Sequence, residues 1–189
     1  MTNRLTDVRL VFLDRDGVVN RKLREDNYIV TWEQFEFMPN APEAIAKLNR
    51  AGIKVVVVTN QRGVALGRLS QHDLISIHEQ MERALQTYNA HLDGIFFCPH
   101  DGDFCECRKP KPGLLLQAFA HFRELQPSDG VLIGDSLPDV EAGRSAGVRT
   151  ILVRGIASTR KPGFAEAEKK ADAVADSLAD AVSVVLGLS

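Results

Sequence analysis

The chain has 189 residues, 44% hydrophobic and 25% charged, with a formal net charge of −2. That is enough chain for one well-buried domain, and the balance excludes both a disordered polymer and a global basic field for nucleic acid. No apolar run approaches the ~18 residues of a membrane span, and the opening stretch lacks the apolar core of a signal peptide, so the expectation is a cytoplasmic protein with a small-molecule partner and no membrane or nucleic-acid role.

In chain order, Val8 to Leu13 is a β-rich apolar run that ends in Asp14-Arg15-Asp16-Gly17. It reads as a buried strand carrying two carboxylates to its tip. Residues 21–37 are polar and aromatic without a period, and read as an irregular flap. Ala44, Ile45 and Leu48 recur at helical spacing after Pro42, and Gly52 marks the helix end before the apolar strand Ile53 to Val58. Ser70 with Asp73 resembles a capping box, and Leu74, Ile77, Met81, Leu85 and Tyr88 make an apolar stripe of a long helix. Ile95 to Phe97 is a third strand. Pro112 opens a helix with Leu115, Leu116, Phe119 and Phe122; Val131 to Ile133 is a fourth strand ending in Gly134-Asp135-Ser136. A helix over Pro138 to Ala146 is stopped by Gly147, Thr150 to Val153 is the fifth strand, residues 157–171 read as charged surface, and a last helix runs near Leu178 to Leu186. Such alternation predicts an α/β fold, a doubly wound, mainly parallel sheet in one domain over residues 1–189, with strand tips gathered at one edge and no large cap domain.

Four tips carry polar residues: Asp14 and Asp16; Thr59-Asn60-Gln61; Cys98-Pro99-His100; and Asp135 to Asp139. Singly, each is also what an ordinary strand-terminating turn looks like. A calcium loop is excluded because Val18 and Val19 stand where a ligand and glycine belong. Asp139 has two readings, an outer-sphere metal partner or a charge favoured by the helix dipole after Pro138.

All three cysteines lie within ten residues, as Cys98, Cys105 and Cys107, with His100 between them. A Cys3His set is the donor group of a closed structural zinc site, the alternative being three free thiols. Zinc would stiffen a loop over residues 98–107 that has little to bury, and would hold Arg108 and Lys109 in place.

Taken in order, Asp14-x-Asp16, Thr59, Lys109 and Asp135 resemble the four motifs of the haloacid dehalogenase superfamily of phosphohydrolases, over residues 8 to about 153. A phosphoaccepting signalling domain uses similar groups in a different order. The resemblance implies a nucleophile at Asp14, a general acid/base at Asp16, a phosphoryl-contacting Thr59, a charge-neutralising Lys109, and Mg²⁺ on Asp14, Asp135 and the Asp16 carbonyl. Proton transfer would want the Asp16 pKa raised while Asp14 stays ionised.

Cys-Pro-His followed by Cys-Glu-Cys-Arg-Lys-Pro, with Thr59-Asn60-Gln61-x-Gly63, is similar to the branch of histidinol-phosphatases and heptose bisphosphate phosphatases, which carry a zinc loop in place of a cap. The implied reaction is release of the 7-phosphate of D-glycero-D-manno-heptose 1,7-bisphosphate by a monomer, with histidinol-phosphate hydrolysis or a catalytically idle phospho-ligand binder as alternatives. Arg15, Arg21, Lys22, Arg24, Arg62, Arg68 and Arg108 form an expected basic rim, of which Arg15, Arg62 and Arg108, with Asn60 and Gln61, are the candidate substrate contacts. Ser136 stands where heptose phosphatases often have lysine, and residues 21–27 are longer than the branch leads one to expect. His72, His78, His91 and His121 read as surface or packing residues.

Overall fold

A computed structural model describes residues 7–23, 27–160 and 162–188; the expected amino-terminal features over residues 1–6, and Arg24 of the expected rim, lie outside them. Six parallel strands form one sheet in the order β3-β2-β1-β4-β5-β6. They are β1 (Leu10–Leu13), β2 (Lys54–Asn60), β3 (Gly94–Cys98), β4 (Gly130–Gly134), β5 (Arg149–Val153) and β6 (Ala173–Ala175). The order reverses between β1 and β4, so the crevice beyond their carboxyl ends is the topological switch point where such sheets bind ligands.

Central strands are apolar on both sides because both faces are covered. Val11, Leu13, Val55, Val57, Val131 and Ile133 face α1 (Ala41–Arg50), α3 (Gln71–Gln86) and α7 (Leu178–Leu186). Leu10, Phe12, Val56, Val58 and Leu132 face α4 (Gly113–His121) and α5 (Leu137–Ser145). Cutting such a side chain back to alanine costs about 2–5 kcal/mol, through lost burial and the cavity left behind.

The expected elements are present with edges moved by one or two residues. Ser70 and Asp73 make the reciprocal capping box of α3. Three short pieces escape the sequence pattern: α2 (Arg62–Ala65), α6 (Phe164–Lys170) and β6. In α6 only Ala167 is buried, so no apolar stripe announces it. β6 has three residues and is tied in by Asp172, whose carboxylate accepts from the Thr150 amide at 2.7 Å and hydroxyl at 2.9 Å.

Among its described residues, the flap, expected to be irregular, has a single 3-10 turn, Trp32–Gln34, and an aromatic centre in which Trp32 stacks on Phe35 with ring centroids 4.8 Å apart. Its return is pinned by Arg21 N donating to Glu36 O at 2.7 Å and Met38 N to Val19 O at 2.9 Å. No helix among the described residues is long and apolar enough to cross a membrane.

Candidate active site

The β1 tip is fixed from below by the sheet: Asp14 N donates to Ile133 O of β4 at 3.0 Å. The chain then turns tightly, with Val19 N and Asn20 N both donating to Arg15 O at 2.9 and 3.0 Å. Gly17 sits at φ 104°, where a side chain would be strained, and a Cβ there would lie 2.2 Å from Asp135 Oδ2. The missing side chain is therefore what lets the β1 and β4 carboxylates approach each other.

Lys109 reaches this point from the far side of the cysteine loop. Its ammonium donates to Asp14 Oδ1 and to Val58 O, each at 2.8 Å, and pairs with Asp139 Oδ1. Its main chain is clamped by Asn60, whose Oδ1 accepts from Lys109 N and whose Nδ2 donates to Lys109 O, both at 3.0 Å. Burial works against the lysine charge, but Asp139 and Asp14 outweigh it and hold the ammonium above its ordinary pKa. Asp139 lies in the first turn of α5, as one of its two readings had it, and caps the helix through Ser136; its other oxygen meets Lys109, a contact neither reading named.

The two β1 carboxylates have unlike surroundings. Burial pushes Asp14 up, Lys109 pulls it back, and Asp139 and Asp135 add to the push, leaving it at about 7. Burial also works against ionised Asp16, yet the Arg15 guanidinium and hydrogen bonds from Asn20, Arg15 and Gln61 hold it below its ordinary value. This reverses the expected ordering. Asp16 receives Arg15 Nη2 at 2.9 and 3.0 Å, Asn20 Nδ2 at 3.0 Å and Gln61 Nε2 at 2.9 Å, whereas Asp14 shares one lysine with Asp139.

The expected substrate contacts divide into two groups. Arg15 is not on the rim: it is 1% exposed, bonded to Asp16 and to His78. Asn60 is committed to Lys109, and Gln61 Nε2 bridges Asp16 and Thr59 Oγ1, each at 2.9 Å. Arg62 and Arg108 do stand at the cleft, where Arg62 forks onto Asp101 at 2.7 and 3.2 Å and Arg108 donates to His100 O at 3.1 Å. Lys22, noted only as a rim residue, donates to Asp135 Oδ2 at 3.1 Å.

Of its two expected roles, surface or packing, His78 has the second, with a polar partner added. It is 5% exposed, with Nε2 3.2 Å from Arg15 Nη1 and its ring edge-on to Phe97. Burial, then the Arg15 charge, pushes it down to about 3, so the ring is neutral. The signal was available, since His78 falls on the α3 stripe between Leu74 and Met81. Asn20, missed as well, is completely buried four residues after Asp16.

Side-chain oxygens of Asp14, Asp135 and Asp139 lie within 4.8 Å of one another. Hard oxygen donors in a cradle kept open by Gly17 fit a small divalent cation such as magnesium. At the tip of β3, Cys98 Sγ stands 3.6 Å from both His100 Nδ1 and Cys105 Sγ, and Cys107 Sγ 3.4 Å from His100 Nδ1. Zn–S and Zn–N bonds of ordinary length in a tetrahedron give edges of about 3.8 Å (S···S) and about 3.6 Å (S···N). The four donors fit that ion, and the sulfurs are too far apart for a disulfide.

Comparison with known proteins bears on this arrangement. The HAD-hydrolase-like family model matches residues 106–181. The chain is 36% identical over 171 residues to the D-glycero-beta-D-manno-heptose-1,7-bisphosphate 7-phosphatase of Pasteurella multocida, covering 86% of this chain and 89% of that one.

This chain belongs to the haloacid dehalogenase-like phosphatases, in the heptose bisphosphate phosphatase branch.

A second relative, the D-glycero-alpha-D-manno-heptose-1,7-bisphosphate 7-phosphatase of Mycobacterium tuberculosis, is 42% identical over 132 residues, 69% of each chain. Among solved structures, the D,D-heptose 1,7-bisphosphate phosphatase of B. bronchiseptica, complexed with magnesium and phosphate, superposes with TM-score 0.84 at 31% identity, covering 96% of this chain and 100% of that one. As a member of this branch the chain is a phosphoric monoester hydrolase.

Proposed function

We propose that the whole chain is one magnesium-dependent phosphatase domain that releases the 7-phosphate of a D-glycero-D-manno-heptose 1,7-bisphosphate. The observation that carries this reading is the buried Lys109 ammonium 2.8 Å from Asp14 Oδ1 at the switch point of the sheet. A phosphate ester repels a carboxylate, and attack by Asp14 needs positive charge fixed at the reacting atoms beforehand.

In the first step an Asp14 oxygen attacks phosphorus, the bond to the sugar oxygen breaks, and an aspartyl phosphate forms. Asp16 gives a proton to the departing alkoxide and then takes one from the water that cleaves the acyl phosphate. Arg15, Asn20 and Gln61 favour ionised Asp16 in the free protein, so Asp16 takes the proton it donates from solvent, drawn in when the negative charge of the substrate enters the site. Thr59 Oγ1, turned toward Asp16 through Gln61, donates to a phosphoryl oxygen. Asp14, Asp135 and the Asp16 carbonyl would hold magnesium, which supplies further positive charge to the phosphoryl oxygens. Cys98, His100, Cys105 and Cys107 would hold a structural zinc.

Two features support a small bisphosphate. The cleft holds about 340 Å³, within the ~300–1,000 Å³ usual for small-molecule sites. Arg62 and Arg108 stand at its wall, suited to a second phosphate rather than to the cationic amine of histidinol phosphate. The test compares kcat/KM for both anomers of heptose 1,7-bisphosphate with that for histidinol phosphate. A preference of about a hundredfold or more for one bisphosphate anomer is expected; equal or reversed preference overturns the substrate assignment.

A further inference from the structure

Arg15 is among the largest fully buried side chains of the protein, and a guanidinium out of water needs acceptors for its five N–H groups. The Nε and Nη2 edge lies on the adjacent Asp16 carboxylate, at 3.3 Å from Nε and at 2.9 and 3.0 Å from Nη2. The opposite corner, Nη1, meets His78 Nε2 at 3.2 Å. Arginine can only donate, so Nε2 is the acceptor and the ring proton sits on Nδ1. The ring is itself held edge-on against Phe97 of β3, with centroids 5.8 Å apart. A contact spanning 63 residues of sequence thus fixes one end of a side chain whose other end grips its own neighbour.

We propose that His78 is a positioning residue for proton transfer: by anchoring Arg15 Nη1 it keeps the guanidinium edge on Asp16 and so aims the Asp16 carboxyl at the leaving oxygen.

Arg15 is among the residues that line the cleft, although its side chain is buried behind the wall. Without its anchor it has a second place to go, toward the phosphate, and Asp16 then loses its principal partner. A histidine at a stripe position also has an ordinary role, filling space and satisfying a buried charge. That role affects folding and every substrate alike. In the step that transfers the phosphoryl group to Asp14, positioning of Asp16 affects only esters whose leaving group needs a proton.

The inference rests on the reading of Asp16 as the acid, and the experiment separates the two. In the magnesium-loaded protein, kcat/KM reports steps up to phosphoryl transfer to Asp14. It is measured for heptose 1,7-bisphosphate, whose alkoxide needs a proton to leave, and for p-nitrophenyl phosphate, whose phenolate does not. His78→Leu should lower the sugar-to-aryl ratio by about tenfold or more, a share of the ~10²–10⁴ general-acid contribution. His78→Gln, whose amide oxygen can accept from Nη1, should bring the ratio back to within about threefold of the parent. His78→Met gives the apolar replacement a second shape should leucine disturb α3. In an Arg15→Lys background, with no guanidinium to anchor, His78→Leu should leave the ratio where it stands. Equal losses on both esters, or an unchanged ratio in the apolar variants, overturn the proposal. An unchanged ratio in Asp16→Asn instead overturns the assignment of Asp16 as the acid.

Discussion

The tip of β1 and the cysteine loop lie side by side, and they are held in place by different means. At the β1 tip the Asp14, Lys109 and Asp139 side chains are 10%, 3% and 2% exposed, and each charge faces an opposite one inside the sheet framework. In the loop, Phe104 is 98% exposed, and the fixed points are the Lys111 ammonium, which donates to Asp103 O and Cys105 O at 3.0 and 2.8 Å, and the four clustered Cys and His donor atoms that fit a zinc ion. The first region owes its geometry to the hydrophobic core beneath it; the second touches the core only through its cysteines, and coordination by those same cysteines is what we propose completes it. Lys109 belongs to both, being anchored at its main chain near the loop and at its ammonium in the core.

Asp14→Asn tests the core-built side of this contrast most severely. Turnover should fall by about four orders of magnitude or more, with the circular dichroism of the parent retained. Substantial remaining activity would remove Asp14 from the nucleophile role.

Stripping zinc tests the other side. Protein purified without chelator should carry near-stoichiometric zinc, and its removal should lower activity by about 10–100-fold by loosening Lys109 and Arg108. Limited proteolysis should then cut between residues 99 and 108 and leave the sheet whole. Absence of zinc, with three normally titrating thiols, would sink the contrast.

A smaller effect concerns protons at the β1 tip. Asp14 stands at about 7 before a metal is bound, so the cation must displace a proton when pH is lower. Apparent magnesium affinity should rise by about tenfold per pH unit up to about 7 and level off above, one proton being released per ion. Calorimetric titration between pH 5 and 8 measures this, and a flat profile would show that Asp14 does not titrate with the metal.

Ser70→Ala should be the mildest change, costing about 1 kcal/mol through loss of the α3 cap. Thermal unfolding should register it while kcat/KM stays near the parent value. A large activity loss would mean that α3 governs the site more directly than through His78 alone.

Much of this architecture can be read from residue order. The apolar runs of β1, β2 and β4 and the stripe of α3 are long enough to give their type, and polar residues at four consecutive tips mark the functional edge. What the chain order hides is pairing across the fold. Arg15 looks like a rim residue because arginine usually faces water, and its burial is explained by Asp16 on one edge of the guanidinium and His78 on the other. Asn60 and Gln61 look like ligand contacts, yet their amides hold Lys109 and Asp16. The reversed acidities of Asp14 and Asp16 come from unlike neighbours: Asp14 meets Lys109, Asp139 and Asp135 from distant segments, whereas Asp16 is held mainly by its own turn, through Arg15 and Asn20, with Gln61 added. β6 and α6 fail to register because three residues and one buried alanine give no period to detect.

The paired hydrogen bonds between Asn60 and the Lys109 main chain act like one more rung added past the end of β2. With the lysine backbone located by that rung, the exposed stretch between His100 and Cys105 can lengthen, shorten or change sequence without shifting the ammonium against Asp14. Variation in what the protein accepts at its mouth is thereby separated from the bond-breaking machinery beneath it, and substrate range can drift while the chemistry stays fixed.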